Sequence, residues 1–277
     1  MKKLHSHAGR KGVFVTILLM VLAVITILPF YLMISMGTHS TADIFRGKVM
    51  IPGTNLLKNL SAVGKSSFVL FYWNSILAST VATLIGTLTS AMAGYALSKY
   101  RFRLRRIMIR YIMALMMIPS QISLIAYVIE MRNMNMLNTL WPVMIPFMFS
   151  AFGVYWMKQS FDSSLPDEVL ESARIDGASE FKIFYKIALP FTKASLITIM
   201  LLLFLWSWNS YILPLITINN MRKYTVPLGV AMLNGLYQTD YGAKILALAL
   251  GTIPLVVMFI FGSKYFIRGL TGGSVKG

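Results

Sequence analysis

The chain has 277 residues, of which 57% are hydrophobic and 13% charged, with a formal net charge of +17 and no cysteine. Soluble domains carry about 25% charged residues, so the composition excludes an ordinary soluble enzyme, and the missing thiols exclude a disulfide scaffold, cysteine-ligated zinc, an iron–sulfur cluster and a cysteine nucleophile. A positive balance in so apolar a chain points to basic loops facing an anionic leaflet rather than to nucleic acid.

Residues 1–11 form a basic tail that holds two of the three histidines, His5 and His7; the third is His39. The run 12–37 has no charge inside it. At about 1.5 Å per residue it exceeds the roughly 30 Å hydrocarbon core. It outruns the apolar part of a signal peptide and lacks a small-residue exit, so it reads as a retained helix. Further apolar runs at 73–97, 107–129, 140–157, 195–218 and 244–267 each approach the length a tilted span needs. Pro142 and Pro146 interrupt the fourth. The expectation is an all-α integral membrane protein: one domain over 12–267 with six transmembrane helices and a short tail at 268–277. With both termini inside, 18 of the 26 basic residues lie on the inner side, as the positive-inside rule requires. The densest group, Lys99 to Arg106, adjoins a span.

In the second span Ala78, Ala82, Gly86, Ser90 and Gly94 recur every four residues, a stripe suited to close helix packing. Thr83 and Thr87 lie beside it and either pack or line a solute path. Pro119-Ser120-Gln121 breaks the third span at a polar step, which in a membrane faces protein or a wet cavity. The fifth carries Trp206, Trp208, Asn209, Ser210 and Tyr211. Aromatic faces beside an amide suit a neutral sugar; tertiary packing and interfacial anchoring are the alternative. No span centre carries Asp or Glu, which disfavours a proton-coupled carrier.

The inner loop 158–194 is anomalous, because it holds six of the nine acidic residues. Pro166, Asp167 and Glu168 suit a helix start. Val169, Leu170 and Ala173 share one apolar face. Gly177 is placed to end that helix in the left-handed conformation and Ser179 to cap a second. Phe181, Phe184, Tyr185 and Ala188 fall on one face of the second helix, and Pro190 stops it. Such an amphipathic helical hairpin either packs on the inner ends of its own spans or docks a partner.

Here the residues take on a specific pattern. Glu171-Ser172-Ala173, Gly177 after three residues and Ile187-Ala188-Leu189-Pro190 after nine more resemble the EAA loop of ABC importer permeases, with Ser172 in place of the middle alanine. Asn74-Ser75, Gly94-Tyr95-Ala96-Leu97-Ser98-Lys99-Tyr100-Arg101-Phe102, Trp208-Asn209, Leu213-Pro214, Pro227-Leu228-Gly229 and the tail from Tyr265 to Gly277 look like carbohydrate-uptake permeases of the maltose type. The likeness is greatest to the smaller six-helix G subunit. The resemblance implies a membrane subunit that is not itself an enzyme. It implies a second homologous permease, two cytoplasmic ABC ATPases holding ATP and magnesium, and an extracytoplasmic sugar-binding protein, in a bacterial or archaeal cytoplasmic membrane. It makes Glu171, Ser172, Ala173, Arg174, Asp176, Gly177, Ile187, Leu189 and Pro190 the ATPase-coupling segment. Thr83, Thr87, Gln121, Trp208, Asn209 and Tyr211 are candidates for the solute path. The chain has no phosphate-binding G-x-x-x-x-G-K-[ST] pattern of its own. A permease for an amino acid, osmolyte or phosphate, and an ATPase-independent channel or carrier, are the competing readings. An intramembrane enzyme lacks its motifs.

Overall fold

The computed structural model describes residues 10–233 and 240–271, so 1–9 and 272–277 of the expected tails lie outside the described residues. Every regular element among them is helical. The chain forms two compact units, Met1–Ser66 with Leu233–Gly251 and Ser67–Met232 with Thr252–Gly277.

The first unit opens with α1 (Arg10–Met36), whose residues 12–31 are exposed on every side. A helix without a polar face is stable where lipid is the solvent. The hydroxyls of Thr16 and Thr26 accordingly turn back to the carbonyls of Gly12 and Leu22. Polarity begins at its end. Ser35 Oγ donates to Val49 O at 2.7 Å, and Thr38 Oγ1 accepts from the Gly53 amide at 2.6 Å. After α2 (Thr41–Phe45), Asn59 of α3 (Leu56–Lys65) is only 2% exposed. Its amide donates to the carbonyls of Gly37 and His39 at 2.8 and 2.9 Å, which closes the segment between them.

The second unit is built around α4 (Phe68–Lys99). It continues through α5 (Arg105–Met117), α6 (Leu124–Asn133), α7 (Trp141–Met148), α8 (Ala151–Ser164), α9 (Asp167–Ile175), α10 (Glu180–Ile183), α11 (Leu189–Phe191), α12 (Lys193–Trp208), α13 (Ile212–Thr217) and α14 (Val226–Ala231). The final helix, α15 (Tyr241–Thr271), begins in the first unit and ends in the second. The small-residue stripe of α4 is buried throughout, and packing is its use. A Cβ on Gly86 would strike the Phe147 carbonyl, and one on Gly94 would strike the backbone at Met157 and Lys158. The backbones of α7 and α8 therefore lie against α4 at these two points. At the other end of α4, Asn74 donates to the carbonyls of Arg222 and Tyr224, both at 2.9 Å, while Ser75 Oγ accepts from the Val226 amide at 2.8 Å.

Among the described residues, three unbroken helices are long and apolar enough to cross a membrane: Gly12–Met36, Phe68–Lys99 and Tyr241–Tyr265. The other three expected spans are divided. Residues 107–129 bend by 91° between Arg105–Met117 and Ser120–Asn133, where Pro119 offers no amide hydrogen. Residues 140–157 split between α7 and α8, where Ser150 Oγ caps α8 by accepting from the Gly153 amide. Residues 195–218 split at 209–211, between α12 and α13.

Substituting Gly94→Leu is expected to destabilise the fold by about 1–3 kcal/mol or more, because neither helix backbone can yield. Gly64→Ala, with open space at its Cβ, is expected to be neutral. Thermal unfolding of the detergent-solubilised variants, followed by size-exclusion chromatography, checks both.

Candidate functional site

The hairpin forms for local reasons. Asp167 and Glu168 stand in the first turn of α9, where their charges meet the positive end of the helix dipole. The helix closes in a Schellman turn: Ala178 N–H donates to Ala173 O and Gly177 N–H to Arg174 O, both at 3.0 Å, with Gly177 at φ +76°. Ser179 Oγ then accepts from the Lys182 amide to start α10. Pro190 does not stop the second helix, which continues to Phe191 and breaks at Thr192. A π turn at Phe184–Ala188 precedes the proline and widens the helix where its ring would otherwise press on the preceding turn. The helical part of the loop is also shorter than 158–194, because α8 runs on to Ser164.

One side of the hairpin is held by its own chain. Leu170, Ala173, Ile183, Phe184 and Ala188 are buried with Tyr95, Met157, Phe161 and Ile199, and Ile187 and Leu189 are half-buried against the same core. Polar bonds fix the rest to the end of α4. Lys99, its side chain 6% exposed, donates to Leu165 O at 2.5 Å and to Asp167 Oδ1 at 2.7 Å. Ser98 Oγ donates to Asp162 Oδ1 at 2.6 Å, and Asp162 also pairs with Lys158. Tyr100 donates to Glu180 Oε2 at 2.6 Å, while Arg174 Nε donates to Glu180 Oε1 at 2.7 Å. Glu180 therefore joins α9, α10 and the end of α4. Arg174 and then Tyr100 hold its carboxyl below the usual range; the Lys99 bond does the same for Asp167. Burial, followed by the bond to Glu180, pushes the Tyr100 phenol up to about 12. The sequence places Lys99 in the basic group beside a span, and Ser98 and Tyr100 in a resemblance; their acidic partners lie more than 60 residues further on, beyond a local signal.

The other side faces outward. Glu171, Ser172, Arg174, Asp176, Gly177 and Pro190 are exposed. Ala173 is 8% exposed, so its small size serves packing within the chain rather than close approach by a partner. Phe181 does not share a face with Phe184 and Ala188. The inward side runs through Ile183, Phe184, Ile187 and Ala188, leaving Phe181 and Tyr185 at the surface. Ile175 and Phe181 are 86% and 72% exposed and flank the Gly177 turn. Ile175 was not singled out from the sequence, although an isoleucine beside a charged helix end is a legible cue.

A second site lies where three helix breaks meet. A cavity of about 860 Å³ is lined by Ser120 and Gln121 after Pro119, by Phe149 and Ser150 between α7 and α8, and by Asn209 and Tyr211 after α12. Among its described lining residues none carries a charge. Of the solute-path candidates it gathers Gln121, Asn209 and Tyr211. Thr83, Thr87 and Trp208 are instead 3%, 5% and 2% exposed and lie apart from that lining. Trp208 stacks on Phe204 and meets Tyr72 edge-on. These three are turned into helix packing because they share the inward side of α4 and α12. Trp206, two residues from Trp208, does line the cavity.

Residues 86–272 match the family model described as the binding-protein-dependent transport system inner membrane component. The chain is similar to the arabinooligosaccharides transport system permease protein of Halalkalibacterium halodurans, 31% identical and covering 92% of this chain and 93% of that one. It is similar to the lactose transport system permease protein of Rhizobium radiobacter, also 31% identical, with 92% of each chain covered. Among solved structures it resembles a chain of a bacterial ABC transporter involved in the import of the acidic polysaccharide alginate. The TM-score is 0.80 at 24% identity, over 96% of this chain and 100% of that one, which speaks to the fold.

The depressed carboxyls give the hairpin a defined pH response. A carboxyl with a folded pKa below its unfolded one adds stability that is present above about pH 4 and lost as pH falls through the depressed value. Amide exchange over residues 167–191, corrected for intrinsic rates, is therefore expected to stay protected from about pH 7 to about pH 5 and to loosen below about pH 4. Glu180→Gln is expected to weaken that protection at neutral pH by about 0.2–1 kcal/mol, the range for exposed pairs.

Proposed function

The chain belongs to the family of binding-protein-dependent transport system inner membrane components, and we propose that it carries an oligosaccharide inward as one of two permease subunits in an ATP-driven importer of the cytoplasmic membrane. The observation that carries the mechanism is the two-sided hairpin, clamped to α4 on one side and presenting Ile175, Gly177 and Phe181 on the other. On this reading both termini and the hairpin are cytoplasmic, and six spans cross the membrane, three of them divided. Two ATPase subunits hold ATP and magnesium and grip the exposed face, with Glu171, Arg174 and Asp176 supplying polar contacts. Ala173, Ile187 and Leu189 position that face from within. When the ATPases close, the displacement passes through the Glu180 and Lys99 bonds to α4 without being absorbed by a slack loop. An extracytoplasmic binding protein delivers the solute.

The solute class follows from the cavity and the relatives' names. Its volume lies within the roughly 300–1,000 Å³ of small-molecule sites. Trp206 and Tyr211 offer flat faces, and Gln121 and Asn209 offer hydrogen bonds. An uncharged lining suits a neutral, hydroxyl-rich ligand better than phosphate or a zwitterion. Arabinooligosaccharides and lactose, in the names of two relatives, are such ligands.

Three experiments test the reading. The chain has no cysteine, so a single Ile175→Cys substitution is expected to react with an impermeant maleimide only from the cytosolic side; labelling from outside would refute it. Gly177→Ala is expected to cost about 1–2 kcal/mol through backbone strain while uptake survives. Gly177→Trp, projecting into open space, is expected to abolish ATP-driven uptake in proteoliposomes at similar stability. Full uptake by the tryptophan variant would remove the coupling role. Replacing Gln121 and Asn209 together with alanine is expected to raise KM for the sugar about tenfold or more by removing two hydrogen bonds, and an unchanged KM would take the cavity out of the solute path.

A further inference from the structure

A second polar feature lies on the same end of α4 as the hairpin. Arg101, Arg103, Arg105 and Arg106, with Phe102 and Ile109, line a cavity of about 540 Å³ at the start of α5, and no acidic side chain lines it. Among the described residues the ion pairs are those of Lys99, Lys158 and Arg174, so Arg101, Arg103 and Arg106 have no carboxylate bound to them. Arg105 and Arg106 stand in the first turn of α5, where positive charge opposes the helix dipole. Asp167 is near enough to act on Arg101 and Arg105 but is paired with Lys99; the four clustered guanidinium groups outnumber it and repel one another, and a further anion relieves that. Arginine rather than lysine at every position favours a phosphate-type anion, which its planar fork engages through paired hydrogen bonds.

The wall beyond the arginines selects among phosphates. α5 buries no residue, and Leu104, Ile107, Met108 and Tyr111 are 56%, 61%, 45% and 63% exposed. A soluble phosphate has no use for that surface; a phospholipid lays its acyl chains along it while its phosphate meets the arginines. We infer that the arginine cavity at the start of α5 is a binding site for an anionic phospholipid of the inner leaflet, held by Arg101, Arg103 and Arg106. Arg105 connects the site to the rest of the structure. Its Nε and Nη2 donate to the carbonyls of Leu97 and Ser98 at 2.7 and 3.1 Å, immediately before the Lys99 and Tyr100 bonds that hold the hairpin. An occupied site braces the end of α4 from which the hairpin hangs. The inference rests on the proposed cytoplasmic placement of the hairpin only for naming the leaflet.

The test uses the assembled transporter in phosphatidylcholine vesicles doped with phosphatidylglycerol, extracted and weighed by native mass spectrometry. The wild-type complex is expected to retain phosphatidylglycerol in preference to phosphatidylcholine. R101Q/R103Q/R106Q is expected to lose that preference by about fivefold per arginine, and R101K/R103K/R106K to keep part of it. Equal retention by the glutamine variant overturns the proposal, as does displacement of the lipid by inorganic phosphate, which would make the site one for a soluble anion. Should the glutamine variant fail to assemble, the wild-type complex decides: retention must fall as salt rises from about 0.05 to about 0.5 M, and a flat response overturns the proposal. Lipid retention is read without transport, so a failed coupling reading leaves it standing, and outside labelling of Ile175→Cys would move the site to the other leaflet without abolishing it.

Discussion

A nearly buried ammonium group at the end of an apolar helix anchors the hairpin of this protein. Lys99 reaches the carbonyl of Leu165 and the carboxylate of Asp167, and through them the first residues of the hairpin take their position from α4. With one donor group shared by a backbone and a side-chain acceptor, the loop has little freedom to pivot about Leu165. Tyr100 and Arg174 repeat the arrangement at Glu180. Single exposed ion pairs contribute little; here they sit on the rim of a core that already buries Leu170, Ile183 and Phe184. Burial supplies the hold and the polar bonds set the angle.

The second constraint comes from the solvent. In hydrocarbon every backbone group needs a partner, so helices break only where protein or water covers the break. Among the described residues, the breaks at 118–120, 149–150 and 209–211 all line one cavity with no charged side chain in its lining. The unbroken α1, by contrast, is exposed all round over residues 12–31, and α4 is packed by small residues. Breaks and glycines thus divide the labour: the first open a cavity, the second remove space between helices.

Much of this is legible in the residues, for identifiable reasons. Gly177, Ser179 and the paired acids after Pro166 carry local information, and their geometry follows from two or three neighbours. The small-residue stripe of α4 likewise declares close packing. What escapes is what depends on distant partners. Thr83 and Thr87 look like polar lining in a span until α4 proves to turn them inward. Trp206 and Trp208 differ by two residues and fall in different surroundings. The π turn before Pro190 trades one hydrogen-bond register for another without a sequence signature. Residues 98–100 bond to acids more than 60 positions away, a pairing no local pattern announces.

The central claim is that the hairpin moves as one body with α4. Its most direct test is the ratio of ATP hydrolysed to sugar imported by the reconstituted complex carrying Lys99→Met, which keeps the side-chain bulk and removes the donor. The account predicts that hydrolysis continues while import falls, so that the ratio rises several-fold. An unchanged ratio at normal import would contradict it.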